Sequence, residues 1–239
     1  MARLTFLFII LVVLTFLQAC GPEPIPCVRV SSSTITETRD VKDFKGIVMY
    51  VEANLIIDQG PEFEIKLTGP DNVVELINTS VTNEYLVIST SDCFNGDYEL
   101  KIEITAPAYE LVNLNERALF ETNGIIEGTS IQLELLGSVD MSGTFEMDSI
   151  FTSYVGNGDL NFSGSAIFHS MTLEGEFEVS GFELITDFTA VDLIGIGNCE
   201  VYANEKLDAS ITGIGDVYYK GTPEISSSIT GTGQIINAN

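Results

Sequence analysis

Apolar and polar residues alternate in short segments throughout the second half of the chain. Such alternation is typical of a β-strand with one buried face, because successive side chains point to opposite sides of the sheet. Six segments begin with a glycine and a polar residue and continue in the order apolar, any, apolar, the last of them ending on asparagine: GSVDM (137–141), GDLNF (158–162), GEFEV (175–179), GNCEV (197–201), GDVYY (215–219) and GQIIN (233–237). Each segment predicts a strand of about five residues with its odd positions buried.

The third positions of these segments are all apolar, and the pattern predicts that they stack in one inward row: Val139, Leu160, Phe177, Cys199, Val217 and Ile235. Glycine adopts turn conformations with positive φ at little steric cost. The leading glycines are therefore predicted at the corners between strands: Gly137, Gly158, Gly175, Gly197, Gly215 and Gly233. Outward positions carry polar side chains that can keep the surface soluble or contact a ligand, and the solubility role is favoured: Asp140, Asn161, Glu178 and Glu200.

The six leading glycines recur at nearly regular intervals along the chain. A period near 19 is too short for a propeller blade, and the helix signals of other repeat families are missing. It suits one coil of a parallel β-helix, in which each coil buries its apolar row against the next. We therefore expect an all-β protein whose residues 116–239 form a single-stranded parallel β-helix, or solenoid. Parallel crossovers favour a right-handed path.

Residues 36–115 are also β-rich but lack this period. Strand-like runs occupy 46–58, 63–69, 84–90 and 98–105, with Gly, Pro, Asn and Asp between them. Repeat arrays need terminal caps that cover their apolar ends. This part is accordingly predicted to be an N-terminal cap on the first coil.

The first 19 residues have the features of a secretory signal peptide, with Arg3 followed by an apolar run. They are followed by a cysteine, and Leu17-Gln18-Ala19-Cys20 resembles the bacterial lipobox. The alternative is an ordinary signal peptide that ends near a cysteine. The lipobox predicts lipidation of Cys20, a tether over 20–35 and attachment to the outer membrane, on its surface or its periplasmic face, because two or more acyl chains anchor stably.

The chain carries 35 acidic residues against 10 basic ones, a formal net charge of −25. This balance argues against nucleic acid and against anionic glycans as partners, while it permits weak binding of divalent cations. A single histidine, His169, and no Cys/His cluster make a zinc site or another cofactor unexpected. His169 itself is expected on a strand surface.

Three cysteines remain after Cys20, so at least one must stay unpaired if export allows disulfides. Cys27 with Cys93 is the preferred pair, although the sequence alone leaves the pairing open. Cys199 lies in the predicted inward row and is expected to be a buried, unreactive thiol.

At residue level the chain resembles the "putative auto-transporter adhesin, head GIN domain" family. The resemblance is carried by ITGIGDVYYKGTPEISSSITGTGQI (211–235), FKGIVMYVEANLIIDQG (44–60) and EYLVIST (84–90). It implies a right-handed parallel β-helix, a cell-envelope location and an adhesin role that rests largely on analogy. It supplies no catalytic residues.

These features favour a non-enzymatic envelope protein that binds a protein or glycan, or acts as a scaffold. One alternative is a polysaccharide hydrolase or lyase, but from residue 118 onward Lys206 and Lys220 are the sole cations that could neutralise a uronate. Hydrolysis needs clustered carboxylates, and the aspartates here stand mostly at turn positions: Asp140, Asp159, Asp187, Asp192, Asp208 and Asp216. A second alternative is a self-stacking assembly component, and the C-terminal coil allows a homo-oligomer.

Overall fold

The computed structural model describes residues 27–239. The predicted signal peptide, Cys20 and the first part of the tether lie outside the described residues. Extended segments dominate: β1 (Val28–Arg29), β2 (Thr34–Arg39), β3 (Gly46–Met49), β4 (Ala53–Gln59), β5 (Glu64–Pro70), β6 (Asn78–Thr82), β7 (Tyr85–Ser89), β8 (Phe94–Asn95), β9 (Lys101–Ala106), β10 (Leu111–Leu114), β11 (Ala118–Leu193), β12 (Ile196–Ile211), β13 (Val217–Lys220), β14 (Glu224–Ile229) and β15 (Ile235–Asn237). One helical turn, α1 (Asp71–Val74), follows β5.

No helix within residues 27–239 combines the length and the apolar character that crossing a membrane requires.

Within the described residues, all strands except β1 and β8 belong to one 13-stranded sheet. Its main path runs β2-β5-β9-β4-β11-β10-β3-β7-β6, and β12 to β15 extend it from β11. The pairs β2–β5, β5–β9 and β6–β7 are antiparallel, and the remaining pairs are parallel. One continuous buried cluster, reaching from Phe44 to Val217, fills the space that the sheet encloses.

The predicted all-β class is correct, but the predicted right-handed single-stranded parallel β-helix with a separate cap is wrong. The structure is a nearly closed, barrel-like sheet of mixed strands, in which antiparallel strands such as β2 and β5 belong to the same sheet and core as the repeats. The repeat pattern indicated strands inside residues 137–237 and the side of each strand that is buried. It carried no information on the partners of β2 to β9, which lie outside the repeat, and those partners decide the architecture.

β11 is 76 residues long and cannot be straight, because a strand of that length would extend for about 250 Å. It bends repeatedly, so that successive passes of this one strand become neighbours. Thr144 Oγ1 lies 2.8 Å from Ser163 Oγ, and Thr152 Oγ1 lies 3.1 Å from His169 Nε2.

One bend is marked by six glycines that lie over one another, which we call the glycine column: Gly137, Gly156, Gly175, Gly195, Gly213 and Gly231. A Cβ added to Gly156 would lie 1.7 Å from the carbonyl oxygen of Gly137, and one on Gly213 would lie 1.8 Å from that of Gly195. Since real Cβ atoms never approach an oxygen so closely, the backbone passes at this bend fit together only where the side chain is a hydrogen atom.

His169 is 3 % exposed, so the expected position on a strand surface is wrong. Its ring also packs edge-on against Phe162. The alternation of the sequence indicates a buried position, because His169 shares its side of the strand with Met171 and Leu173, which are both buried. A neutral imidazole with one hydroxyl partner is compatible with this apolar setting.

The preferred cysteine pair is confirmed: Cys27 and Cys93 form a disulfide across a sequence separation of 66 residues. It joins the two-stranded sheet of β1 and β8, where Val28 pairs with Phe94. Cys199 is a free thiol and fully buried, and its low reactivity stays a prediction.

Candidate ligand-binding cleft

A cleft of about 400 Å³ lies where three neighbouring parallel strands, β9, β4 and β11, begin. We call it the Tyr98–Arg117 cleft. Its lining comes from the residues that start or directly precede each strand, together with a later pass of β11: Glu52, Ala53, Asn54, Tyr98, Glu99, Leu100, Arg117, Ala118, Leu119, Ser138 and Asp140.

Backbone hydrogen bonds bring these strand starts together. The amide of Ala53 donates to the carbonyl of Arg117 over 3.3 Å, and the amide of Asn54 donates to that of Leu100 over 2.8 Å. Ala53, Leu100 and Ala118 are buried and form the floor. Alternation along the strands then directs their polar neighbours outwards, into the walls of the cleft.

The walls hold polar groups that are paired but accessible. Arg117 Nη1 lies 3.4 Å from Glu52 Oε1, and their side chains are 74 % and 49 % exposed. Asn54 Nδ2 donates to Glu99 Oε1 over 3.2 Å. Such exposed pairs contribute little to stability, so a ligand can replace either partner at small cost.

Tyr98 forms an aromatic side of the cleft and packs partly against the core. Burial raises the pKa of its phenol, and the charges of Glu52 and Glu116 raise it further. The hydroxyl therefore stays protonated and can donate a hydrogen bond throughout the physiological range.

This set of groups matches a hydroxyl-rich, uncharged ligand. The carboxylates of Glu52, Glu99 and Asp140 accept hydrogen bonds, Asn54 and Arg117 donate them, and Tyr98 with the apolar floor can contact C–H surfaces. Three carboxylates against one guanidinium disfavour an anion. In the part of the chain that the structure describes, no three His, Cys, Asp or Glu side chains are close enough to hold a metal ion.

Of the four outward polar residues singled out in the sequence, Asp140 lies in this cleft. Its Oδ1 accepts a hydrogen bond from the backbone amide of Asp159, with a distance of 3.0 Å between the oxygen and the nitrogen. The other three lie on later passes of the sheet. Asn161 donates to the carbonyl of Met141, Glu178 accepts from Asn198, and burial raises the pKa of Glu200.

The structure places the six inward-row residues at buried positions, except Ile235, which is half-buried. Cys199 pairs with Val217, and Val217 in turn pairs with Ile235. Phe177, however, pairs with Gly197, and the partner of Cys199 is Val179. The neighbour of Gly175 on the next pass is accordingly Gly195, a glycine outside the predicted set.

The six corner glycines divide accordingly. Gly137 and Gly175 belong to the glycine column. The other four lie two positions further along, each close to a carbonyl oxygen of the preceding pass: Gly158, Gly197, Gly215 and Gly233. Cys20, the predicted lipidation site, lies outside the described residues.

Reasoning from the repeat missed Tyr98, Arg117 and Asn54, because all three precede residue 137. A usable signal was present. Each stands close to the start of a strand, in runs such as DYELKI (97–102), where an aromatic and an acid precede an alternating segment.

Solved structures of low identity share this fold. A putative adhesin from Bacteroides fragilis is 24 % identical with a TM-score of 0.84, covering 88 % of this chain and 99 % of its own. A putative lipid binding protein from Parabacteroides distasonis is 19 % identical with a TM-score of 0.71, and a putative adhesin from Parabacteroides merdae is 16 % identical with a TM-score of 0.64; each alignment covers 89 % of this chain and 99 % of the other.

No curated protein matches the sequence at a significant level. The family model described as "putative auto-transporter adhesin, head GIN domain" matches residues 43–223, which confirms the resemblance seen in the sequence. The chain therefore belongs to this family.

Proposed function

We propose that the protein is a non-enzymatic binding protein of the cell envelope, held to the outer membrane through lipid on Cys20, and that the Tyr98–Arg117 cleft binds a neutral glycan. The observation that carries the proposal is the composition of the cleft, which combines an aromatic side chain, an apolar floor, three carboxylates, an amide and a guanidinium. The adhesin description of the family supports a binding role, and the lipobox supports the anchor.

The binding test is a titration of neutral oligosaccharides into wild type and Tyr98→Ala. Loss of the aromatic wall is expected to weaken binding about tenfold. Tyr50→Ala is the matched control, because Tyr50 is 51 % exposed and does not line the cleft. A panel of neutral glycans without any binder, or equal losses in both variants, would refute the assignment.

A glycoside hydrolase is the second candidate, because Glu52, Glu99 and Asp140 line the same cleft. The two functions differ in their products. Release of reducing ends by wild type, abolished in Glu99→Gln while binding persists, would favour the hydrolase. Unchanged glycan after prolonged incubation is the outcome expected for a binding protein.

The anchor is tested separately on cells. Labelled fatty acid is expected to be incorporated into wild type and not into Cys20→Ser, which lacks the thiol that is acylated. Protease treatment of intact cells carrying a C-terminally tagged protein then distinguishes the surface from the periplasm, since digestion of the tag without lysis places the protein outside. Absence of fatty-acid label in wild type, or equal labelling of Cys20→Ser, would contradict lipid anchoring.

A further inference from the structure

The last two strands of the sheet are paired on one side. β14 pairs with β12 and β15 pairs with β13, and within residues 27–239 neither has a partner on its other edge. All six residues of β14 are exposed. An unpaired strand presents a row of free N–H and C=O groups that can accept another strand.

The apolar rows of the core continue to this edge without cover. Leu207 pairs with Ile225 and Ile211 pairs with Ile229. Both β12 residues are fully buried, whereas Ile225 is 40 % and Ile229 is 44 % exposed. Side chains at the same inward position are therefore buried on β12 and exposed to solvent on β14.

The three other edge strands of the described sheet are finished differently. On β2, β6 and β15 the inward residues Ile35, Val81 and Ile235 are half-buried and pack against the core. β2 also carries the charges of Glu37 and Arg39, a usual protection against pairing between molecules. β14 is the edge at which buried rows remain open.

Charge singles out the same edge. The chain has a formal net charge of −25, but its C-terminal segment, 221–239, contains one charged side chain, Glu224. Two copies repel each other over most of their surface and least at this edge. A second copy is thus the occupant that the charge distribution favours.

The sequence of β14 is self-complementary. It reads Glu-Ile-Ser-Ser-Ser-Ile and is symmetric about Ser227 from Ile225 to Ile229. Two antiparallel copies centred on Ser227 place each Ile225 opposite the partner's Ile229 and each Ser226 opposite the partner's Ser228. Glu224 then faces the partner's Thr230, so no like charges meet across the pair.

We propose that the protein forms a two-fold symmetric dimer by antiparallel pairing of β14 with β14 of a second copy, with Ser227 at the centre. Such an interface uses the same patch on both subunits and is closed, so it ends at the dimer. The contact joins the two sheets edge to edge and covers Ile225 and Ile229.

The test uses residues 21–239, which retain every described residue, in sedimentation velocity over a roughly hundredfold range of concentration. Wild type is expected to shift from monomer to dimer, and more readily as salt screens the repulsion between copies. Ser227→Lys places two like charges opposite each other and is expected to give monomer. Ser80→Lys on the exposed edge strand β6 is the matched control and is expected to dimerise as wild type does.

The register has its own test. Ser226→Lys combined with Ser228→Glu puts opposite charges across the pair and is expected to keep the dimer, whereas lysine at both positions is expected to abolish it. Circular dichroism of each variant checks that the fold is intact. A wild type that stays monomeric throughout, a dimer that survives Ser227→Lys, or equal behaviour of the two double variants would overturn the proposal.

Discussion

The ring of Phe94 meets the ring of Tyr98 edge-on, with centroids 5.3 Å apart and planes at 71°. Phe94 directly follows Cys93, and the disulfide to Cys27 fixes this segment against β1. The aromatic wall of the cleft is therefore supported by a covalent bond through one intervening side chain.

Removal of the disulfide by Cys27→Ser with Cys93→Ser is expected to lower the free energy of unfolding by about 2–4 kcal/mol, because the bond closes a long loop in the unfolded chain. Urea unfolding measures the change. Since Phe94 and Tyr98 lose their support, glycan affinity is expected to fall as well. Wild-type affinity in the double variant would show that the aromatic pair holds its place without the bond.

Burial lowers the pKa of His169 from 6.5 to about 3. Below pH 6.5 the unfolded chain takes up a proton that the folded protein excludes, so this group destabilises the fold as the pH falls from 6.5 towards 3. The loss amounts to about 2 kcal/mol at pH 5. Because many carboxylates titrate in the same range, the measurement is the difference between wild type and His169→Gln in urea midpoint at each pH. The difference is expected to shift in favour of the variant on acidification, and a constant difference would argue that the imidazole is accessible to protons.

Gly156→Ala is expected to destabilise the protein by at least about 3 kcal/mol or to prevent folding, because its Cβ would lie 1.7 Å from the Gly137 carbonyl oxygen. Gly128→Ala is the control. There the nearest atom is the flexible Met147 Sδ at 3.3 Å, and a change below about 1 kcal/mol is expected. Thermal unfolding of both variants decides, and equal stability would mean that the passes of β11 separate easily at the bend.

The Cys199 thiol is fully buried, and burial raises its pKa, with further upward contributions from the charges of Glu178 and Glu200. Labelling by a thiol reagent is expected to be at least about 100-fold slower in the folded protein than in urea. In residues 21–239 one thiol should react after unfolding, since Cys27 and Cys93 are joined. Rapid labelling of the folded protein would place Cys199 at an open edge instead.

Strand positions inside the repeat could be predicted from the sequence, since Val139, Leu160 and Val217 alternate with polar neighbours and are buried. The register between passes was harder. Gly195 precedes Ile196 and Gly197 precedes Asn198, so either glycine could mark the start of the strand. Only the contact with the preceding pass shows that Gly195 is the neighbour of Gly175. Local pattern does not distinguish two glycines that are two positions apart, because both face the same way.

The architecture and the cleft depended on contacts between distant segments. β5 pairs antiparallel with β9, although Glu64 and Thr105 are far apart in the sequence. No pattern in either segment indicates that the two strands are partners. Likewise Asn54, Tyr98 and Arg117 become neighbours only because β4 lies between β9 and β11. Sequence alternation gives the face of a strand but not its neighbour in the sheet.

The glycine column also bears on how the chain finds this fold. A slip of one pass by two positions keeps every side chain on its proper face, so burial alone penalises it weakly. At the bend, however, a slip that brings in the residue two positions earlier would put a side chain such as that of Leu173 or Leu193 where a hydrogen atom alone fits. A slip in that direction is thereby rejected sterically, so the glycine column limits the alignments that successive passes of the chain can adopt.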